Sequence, residues 1–256
     1  MDHEQFVTIV QERSGLDRND AERAIRATLE TLSERLSQDR AEDLRYWLPE
    51  PIRHWVVPSL VVHFDVQEFL RRVAIREFVD LSTAEGHLRA VFHALGHALP
   101  PLALTALEAE LPQDFRPLVE YAARDWVEYM PTEEFVRRVA ERTGLDPETA
   151  RRTTEVVLEA LAERISGRDV ERFLGKISIE LHAPLLRGVE KSRGAPRQIS
   201  LDEFLNLVAE REGASREEAR DHVRAVLVTL REAAGEEFSH VAARLPSEFK
   251  PLLVVG

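Results

Sequence analysis

The stretch SGLDRNDAERAIRATLETLSERLS at Ser14–Ser37 returns 129 residues later, at Thr143–Ser166, as TGLDPETARRTTEVVLEALAERIS, with about half its positions identical and no gap. Internal repetition constrains a fold more tightly than composition does. Each copy must adopt the same local structure and bury the same face, and neighbouring copies must cover one another. Two more copies follow from the same opening. EQFVTIVQE, QEFLRRVAI, EEFVRRVAE and DEFLNLVAE place Phe6, Phe69, Phe135 and Phe204 in one slot, 63, 66 and 69 residues apart. Each copy closes on a short amphipathic piece: LRYWLPEPI, LEAELPQDF, LGKISIELH and VAARLPSEF. The first copy resembles the third through GLD, at Gly15–Asp17 and Gly144–Asp146. The second resembles the fourth through RAV, at Arg89–Val91 and Arg224–Val226, and through LPQDFRPLV against LPSEFKPLL. An A-B-A-B order means that a two-copy module was duplicated whole. The expected domains are 1–128, with copies at about 1–64 and 65–128, and 129–256, with copies at about 129–194 and 195–256.

The periodicity is helical. Ile25, Leu29, Leu32 and Leu36 fall at the three-and-four spacing of one apolar stripe, as do Val157, Leu158, Leu161 and Ile165. Asp146 before Pro147 reads as an N-cap with proline at the first helical position, where a missing N–H costs nothing. Ser82 with Glu85, Ser200 with Glu203 and Ser215 with Glu218 read as capping boxes. Gly15, Gly144 and Gly213 end the first helix of their copies, where a left-handed residue is needed. Phe78 stands in that slot in the second copy, so a different turn is expected there. Each copy is then a short helix, a long helix and a third short one. The expected fold class is all-α, a helical bundle of four helix-turn-helix repeat units arranged as two tandem homologous domains. Val56–Phe64, the one β-branched cluster, is expected to be a partly buried connector between copies one and two. Gly188–Gln198, rich in glycine and charge, is expected to be an exposed, mobile loop between copies three and four.

FVRRVAERTGLDPETARRTTEVVLEALAERIS, at Phe135–Ser166, resembles the opening of the domain of unknown function (DUF) 2267 family. The phenylalanine-led helix, the GLD turn and LEALAERIS match, and the later LPSEF fits as well. The resemblance covers nearly the whole chain as two tandem members. It implies an all-helical bundle, and it implies no activity and no catalytic residues. The same helix-turn-helix is more distantly similar to the helical half of the HU-type bacterial DNA-binding proteins. Those proteins bind through basic β-arms, for which this chain has no counterpart, so the likeness does not imply DNA binding.

Composition sets outer bounds. A 44% hydrophobic share supports a full core, and a net charge of −12 disfavours a surface built to neutralise phosphates or anionic lipid. The absence of cysteine excludes thiolate metal sites, disulfides and thiol nucleophiles. The acidic start MDHEQFVTIV does not suit a secretion signal and no apolar run is long enough to span a bilayer, so a cytoplasmic protein is expected.

The strongest candidate for chemistry is His93 with His97 in HALGH, four apart on one helical face and able to grip one metal. Their repeat counterparts are Glu30 and Glu34, and Glu159 and Glu163. The slot is therefore expected on the surface, with no obvious third ligand. His87 and His222 correspond in the B-type copies, and a half-buried histidine bonded to a backbone carbonyl is expected for each. His54, His63, His182 and His240 share no spacing. The carboxylates lack the Glu-x-x-His pairing of a diiron bundle, and no phosphate loop, dinucleotide fingerprint or nucleophile elbow occurs. Trp47, Trp55, Tyr121, Trp126 and Tyr129 are expected to fill core and inter-domain gaps or else to anchor a partner, and the terminal PLLVVG either to pack on copy four or to leave an apolar edge. The reading is a non-catalytic protein-interaction or scaffold module, not an enzyme, with a protein partner or self-association and no cofactor. The alternatives are a small-ligand or metal-binding protein that uses the inter-domain cleft, with His87, His93 and His97 nearby, and a nucleoid-associated protein.

Overall fold

The computed structural model describes residues 1–123, 129–193, 196–197 and 199–253. The chain divides into two compact units, Met1–Val127 and Glu128–Gly256. Unit one contains α1 (His3–Ser14), α2 (Arg18–Ser33), α3 (Gln38–Trp47), α4 (Val66–Glu77), α5 (Leu81–Ala98), α6 (Pro101–Glu110) and α7 (Arg116–Ala123). Unit two contains α8 (Thr132–Thr143), α9 (Pro147–Arg164), α10 (Gly167–Leu174), α11 (His182–Lys191), α12 (Leu201–Glu212), α13 (Arg216–Ala234) and α14 (Glu236–Ala242). Short 3-10 turns at Ile52–Trp55, Gln113–Phe115, Ile179–Leu181 and Ser247–Leu252 complete the copies. Among the described residues the only β-type pairing is an isolated bridge between Met130 and Ile177. The fold is an all-α bundle.

Local chemistry sets the helix ends. Asp2, Ser200 and Ser215 form capping boxes with Gln5, Glu203 and Glu218, and Asp146 accepts from the amides of Glu148 and Thr149. Gly15, Gly144 and Gly213 close the first helices at positive φ. Two local expectations need correction. Asp80, not Ser82, caps α5 by accepting from the Thr83 amide, which leaves Ser82 inside the first turn and Glu85 free to turn inward. Phe78 does not change its turn. It takes the same left-handed conformation as the glycines, at φ 60°, ψ 42°.

In each unit the two copies are interleaved. The first helix of one copy lies on the long helix of the other, α1 on α5 and α4 on α2, then α8 on α13 and α12 on α9. The four repeat-marking rings, Phe6, Phe69, Phe135 and Phe204, are fully buried at these crossings. Each such burial is worth roughly 1.5–3 kcal/mol. The LP-x-x-F endings are also structural. Phe115 packs 5.2 Å from Phe69 and Phe249 packs 5.5 Å from Phe204, measured between ring centroids. Two residues along from the leading proline in each motif, Asp114 accepts the Val66 amide (2.7 Å) and Glu248 accepts the Leu201 amide (2.7 Å). Each motif therefore plugs the core and caps the first helix of its own copy.

Copies two and three each carry a helix beyond the expected three. α7 lies along α5, and α11 lies along α9. Glycine permits both contacts. A Cβ on Gly96 of α5 would sit 2.8 Å from Ala122 Cα and closer still to that residue's carbonyl oxygen, while one on Gly188 of α11 would sit 2.6 Å from Ala162 Cβ. Gly188 thus belongs to a packed helix rather than to a mobile loop. Of the rest of that stretch, Gly194, Ala195 and Gln198 lie outside the described residues, as do Trp126 and the last three residues of PLLVVG. Leu252 of PLLVVG is buried. The connector Val56–Phe64 is more exposed than expected. Val56 is buried, but Val57, Leu60, Val61 and Val62 face solvent, because the segment runs extended over the surface, anchored by the Val62 amide to the Glu34 carbonyl (2.7 Å) and by Arg35 Nε to the Phe64 carbonyl (3.2 Å).

Candidate functional site

The two extra helices change the environment of the polar residues on the long helices. His93, Glu159 and Glu163 are buried, against the expectation of a surface face, because α7 covers α5 and α11 covers α9. Glu159 binds Arg187 (2.8 Å) and Lys191, both on α11. Burial alone would raise its carboxyl, but the hydrogen bonds from Lys191 and Arg187 outweigh it and hold the group below the ordinary carboxylate range. Glu163 binds Arg211 (2.6 Å) on α12 and Arg197 (2.9 Å). Each of these acids meets at least two named cations, and such pairing is what burial of a charge requires.

The Arg211 contact is one case of a clamp that recurs between copies. Arg76 of α4 reaches Thr31 Oγ1 (2.5 Å) and Glu34 on α2, and Arg72 adds a second bond to Glu34 (2.8 Å). In unit two, Arg142 of α8 reaches Thr229 Oγ1 (2.7 Å) and Glu232 (2.5 Å) on α13, with Arg138 adding 2.8 Å to Glu232. Glu34, Glu163 and Glu232 occupy one repeat slot, and the residue in that slot of copy two is His97. His97 therefore stands where the other copies place the acid of an inter-helix clamp.

His93 and His97 meet edge to face, with their Nε2 atoms 3.4 Å apart. That separation suits an N–H···N bond. It also equals the ~3.4 Å expected between two nitrogens held about 2.0–2.1 Å from a tetrahedral zinc ion. Among the described residues no group of three or more histidines and carboxylates is arranged to hold a metal. One turn back on α5, Glu85 and Arg89 form a fully buried pair (2.5 Å), and the Arg89 guanidinium lies 4.6 Å over the Tyr121 ring on α7. Tyr121 is therefore a core residue of unit one, and burial raises its phenol.

His87 and His222 do not bond to backbone carbonyls. Their Nδ1 atoms lie 2.6 Å from Glu77 and 2.8 Å from Glu212, at the same place in both units. The partner lies ten residues earlier because the antiparallel crossing over the αL turn brings the end of one helix beside the second turn of the next. In both pairs the other carboxylate oxygen, Oε1, is buried without a hydrogen-bond partner. Glu212 and His222 line a pocket of about 240 Å3 with Thr149, Arg152 and Thr153. Elsewhere, His182 is buried and its Nε2 lies 3.4 Å from the Ile177 carbonyl. His54 pairs with Glu50 at the surface (2.7 Å).

The apolar surface is unequally divided. Apart from Met1, the described residues include ten large apolar side chains that are exposed, and nine of them lie in unit one. Trp47, in edge-to-face contact with Tyr46 at 4.9 Å, lines a groove between α3 and α6, with Leu102 82% exposed at its rim. Phe78 is 90% exposed despite its left-handed backbone, a conformation that costs a non-glycine residue roughly 1–2 kcal/mol. Unit two contributes Leu186 alone. Trp55 and Tyr129 are half-buried.

Interleaved helical copies, half-buried ion-pair clamps between them and a wholesale duplication define a class of tandem all-α repeat proteins. The chain belongs to the family described as uncharacterized conserved protein (DUF2267), which it matches twice, over residues 3–118 and 132–252. No curated protein and no solved structure matches it significantly. Among the described residues no helix is long and apolar enough to cross a membrane.

Proposed function

We propose that the protein is a non-catalytic interaction module whose binding face lies on its first domain. The observation that carries this reading is the segregation of exposed apolar side chains into unit one, which a duplicated pair of domains would otherwise share. Contiguous apolar surface rimmed by charge marks partner sites, and tryptophan and tyrosine anchor them. The backbone strain at Phe78 supports it too, since an exposed ring held at positive φ gains nothing within the fold. The buried polar pairs on the long helices are paired within the bundle and support packing. A photo-cross-linking residue placed at Leu60, Phe78 or Leu102 in the full chain, expressed in its host, tests the reading. Adducts of defined mass at those positions and none from Leu186 are expected. Equal labelling from Leu186, or none anywhere, refutes it.

The 3.4 Å spacing of His93 and His97 favours a second reading, a metal-binding role for α5. Zinc would then raise the melting temperature, and His93→Ala with His97→Ala would abolish the rise. No shift with zinc defeats this reading.

A further inference from the structure

We infer that the groove between α3 and α6 docks the apolar face of a basic amphipathic helix from a partner protein; this rests on, and sharpens, the interaction reading above. The groove holds about 470 Å3 and runs along two ten-residue helices, so its length is about 15 Å, or nearly three helical turns. Leu44, Leu99 and Leu107 form its floor, Ala103 and Ala106 one wall, and Trp47 the other. Two alanines at i and i+3 leave no side chain to hold a helix backbone away, which is how helices approach closely in grooves of this kind.

The second domain supplies an internal control, because its α10 and α14 occupy the same place. There Phe173 and Phe238 are both buried, with ring centroids 6.2 Å apart; their counterparts in the first domain are the smaller Leu44, which lines the groove, and Leu104. At the rim, Lys176, Glu236, Glu237 and His240 stand where the first domain has Trp47, Leu102, Ala103 and Ala106. Every one of these differences makes the first-domain groove emptier or more apolar. The bundle does not need that change to fold, since the second domain folds with phenylalanines at the same two positions. The supporting ion pair between the two helices is present in both domains with its charges exchanged. Arg40 binds Glu110 (3.4 Å) in the first, and Asp169 binds Arg244 (2.8 Å) in the second. The helices are thus held at a fixed spacing in each.

Charge chooses the partner. The groove helices carry Asp39, Glu42, Asp43, Glu108 and Glu110 against Arg40 and Arg45, and Arg40 is already engaged by both Asp43 and Glu110. At the groove Asp43 and Glu110 thus outnumber Arg40, and this excess of acid beside an apolar floor complements a helix whose apolar stripe is flanked by lysine or arginine. A second copy of this chain, with net charge −12, offers the opposite sign.

The test uses the full chain and two labelled 14-residue peptides with the same leucine stripe, one with lysine and one with glutamate on the polar face, read by fluorescence anisotropy at physiological salt. The lysine peptide is expected to bind at least tenfold more tightly than the glutamate peptide. Leu102→Glu with Ala103→Glu and Ala106→His, which writes the second domain's residues onto the first, is expected to weaken that binding at least tenfold with helicity unchanged. Leu102→Glu alone, at a site 82% exposed, keeps the comparison decisive if the triple variant is poorly folded. Equal binding of both peptides, or undiminished binding by both variants, overturns the groove assignment. So does a dimer in sedimentation equilibrium that the triple variant dissociates, since the occupant is then a second copy. Cross-links from Leu60 and Phe78 that persist while the groove binds nothing would remove this inference and leave the broader interaction reading standing.

Discussion

Gly96→Ala is the sharpest test of the helix pairing that buries His93. In a solvent-facing helix the change would stabilise the protein by about 1 kcal/mol, because glycine is that much poorer than alanine in a helix interior. Here α7 blocks it. The new methyl would stand 2.8 Å from Ala122 Cα, against the 3.4 Å at which ordinary contacts begin, and would overlap the carbonyl oxygen. The atoms in the way are backbone, so no rotamer change can relieve the clash, and α7 must retreat along its length. Overpacking of this kind costs about 1–3 kcal/mol, and retreat also loosens Leu118, Val119 and Tyr121, the buried residues of α7. Because the clash is with backbone the cost falls in the upper part of that range, about 2–3 kcal/mol, and net of the helix gain a loss of about 1–2 kcal/mol is expected. At about 4 °C per kcal/mol for a domain of this size, that is a fall of about 4–8 °C in the melting of the first domain by calorimetry. Gly175→Ala serves as control, since no atom lies within 4 Å of its would-be Cβ, and it should melt at or slightly above the parent temperature. A Gly96→Ala protein that melts no lower than the parent would refute the α5–α7 contact.

Three further outcomes follow from the same geometry. Phe78→Gly should raise stability by about 0.5–1 kcal/mol in a thermal melt, because relief of the left-handed strain exceeds the small contact area of a ring 90% exposed; a drop of more than 1 kcal/mol would mean that the ring is packed. Glu159 has a depressed carboxyl, so its contribution is complete above the unfolded glutamate value near 4.3 and is lost as pH falls through the folded value. Lys191→Met with Arg187→Met leaves burial to raise that carboxyl, and the acid unfolding midpoint should move to higher pH; an unmoved midpoint refutes the assignment. Asp114 has the opposite sign, raised by burial that outweighs the hydrogen bond from Val66. Its contribution is present below the unfolded aspartate value near 3.9 and is lost as pH rises through the folded value. Asp114→Asn, which keeps an acceptor for the Val66 amide, should therefore be neutral or stabilising at pH 7 in urea titrations, with less benefit at pH 3; a loss at pH 7 would show that the charge itself holds the cap.

What could be read from the chain was local. The buried stripe of Ile25, Leu29, Leu32 and Leu36, the aspartate and serine caps and the positive-φ glycines all depend on neighbours within a turn or two, and the structure places them as the pattern implies. The misreadings of His93, Glu159 and Glu163 share one cause. α7 and α11 follow different copies, so repeat alignment offers no counterpart α-helix for either, and without them His93, Glu159 and Glu163 look like solvent positions. Ser82 with Glu85 matched a capping box in spacing, but Asp80 sits two residues nearer the turn and Glu85 is drawn inward by Arg89. Phe78 broke the glycine rule for residue type without breaking the conformation. The α3–α6 groove needed three dimensions, because Leu44 and Leu104 are 60 residues apart and unremarkable as leucines until set beside Phe173 and Phe238.

The crossed pairing of α1 with α5 and α4 with α2 has a further meaning. Exchange the labels of the two copies and this pair of crossings is unchanged, as it would be for two identical chains related by a two-fold axis. Each domain is thus a dimer written on one chain, with residues 56–65 as the tether in the first. A single copy released from its tether would expose the face its sister covers, and its nearest stable state would be a pair.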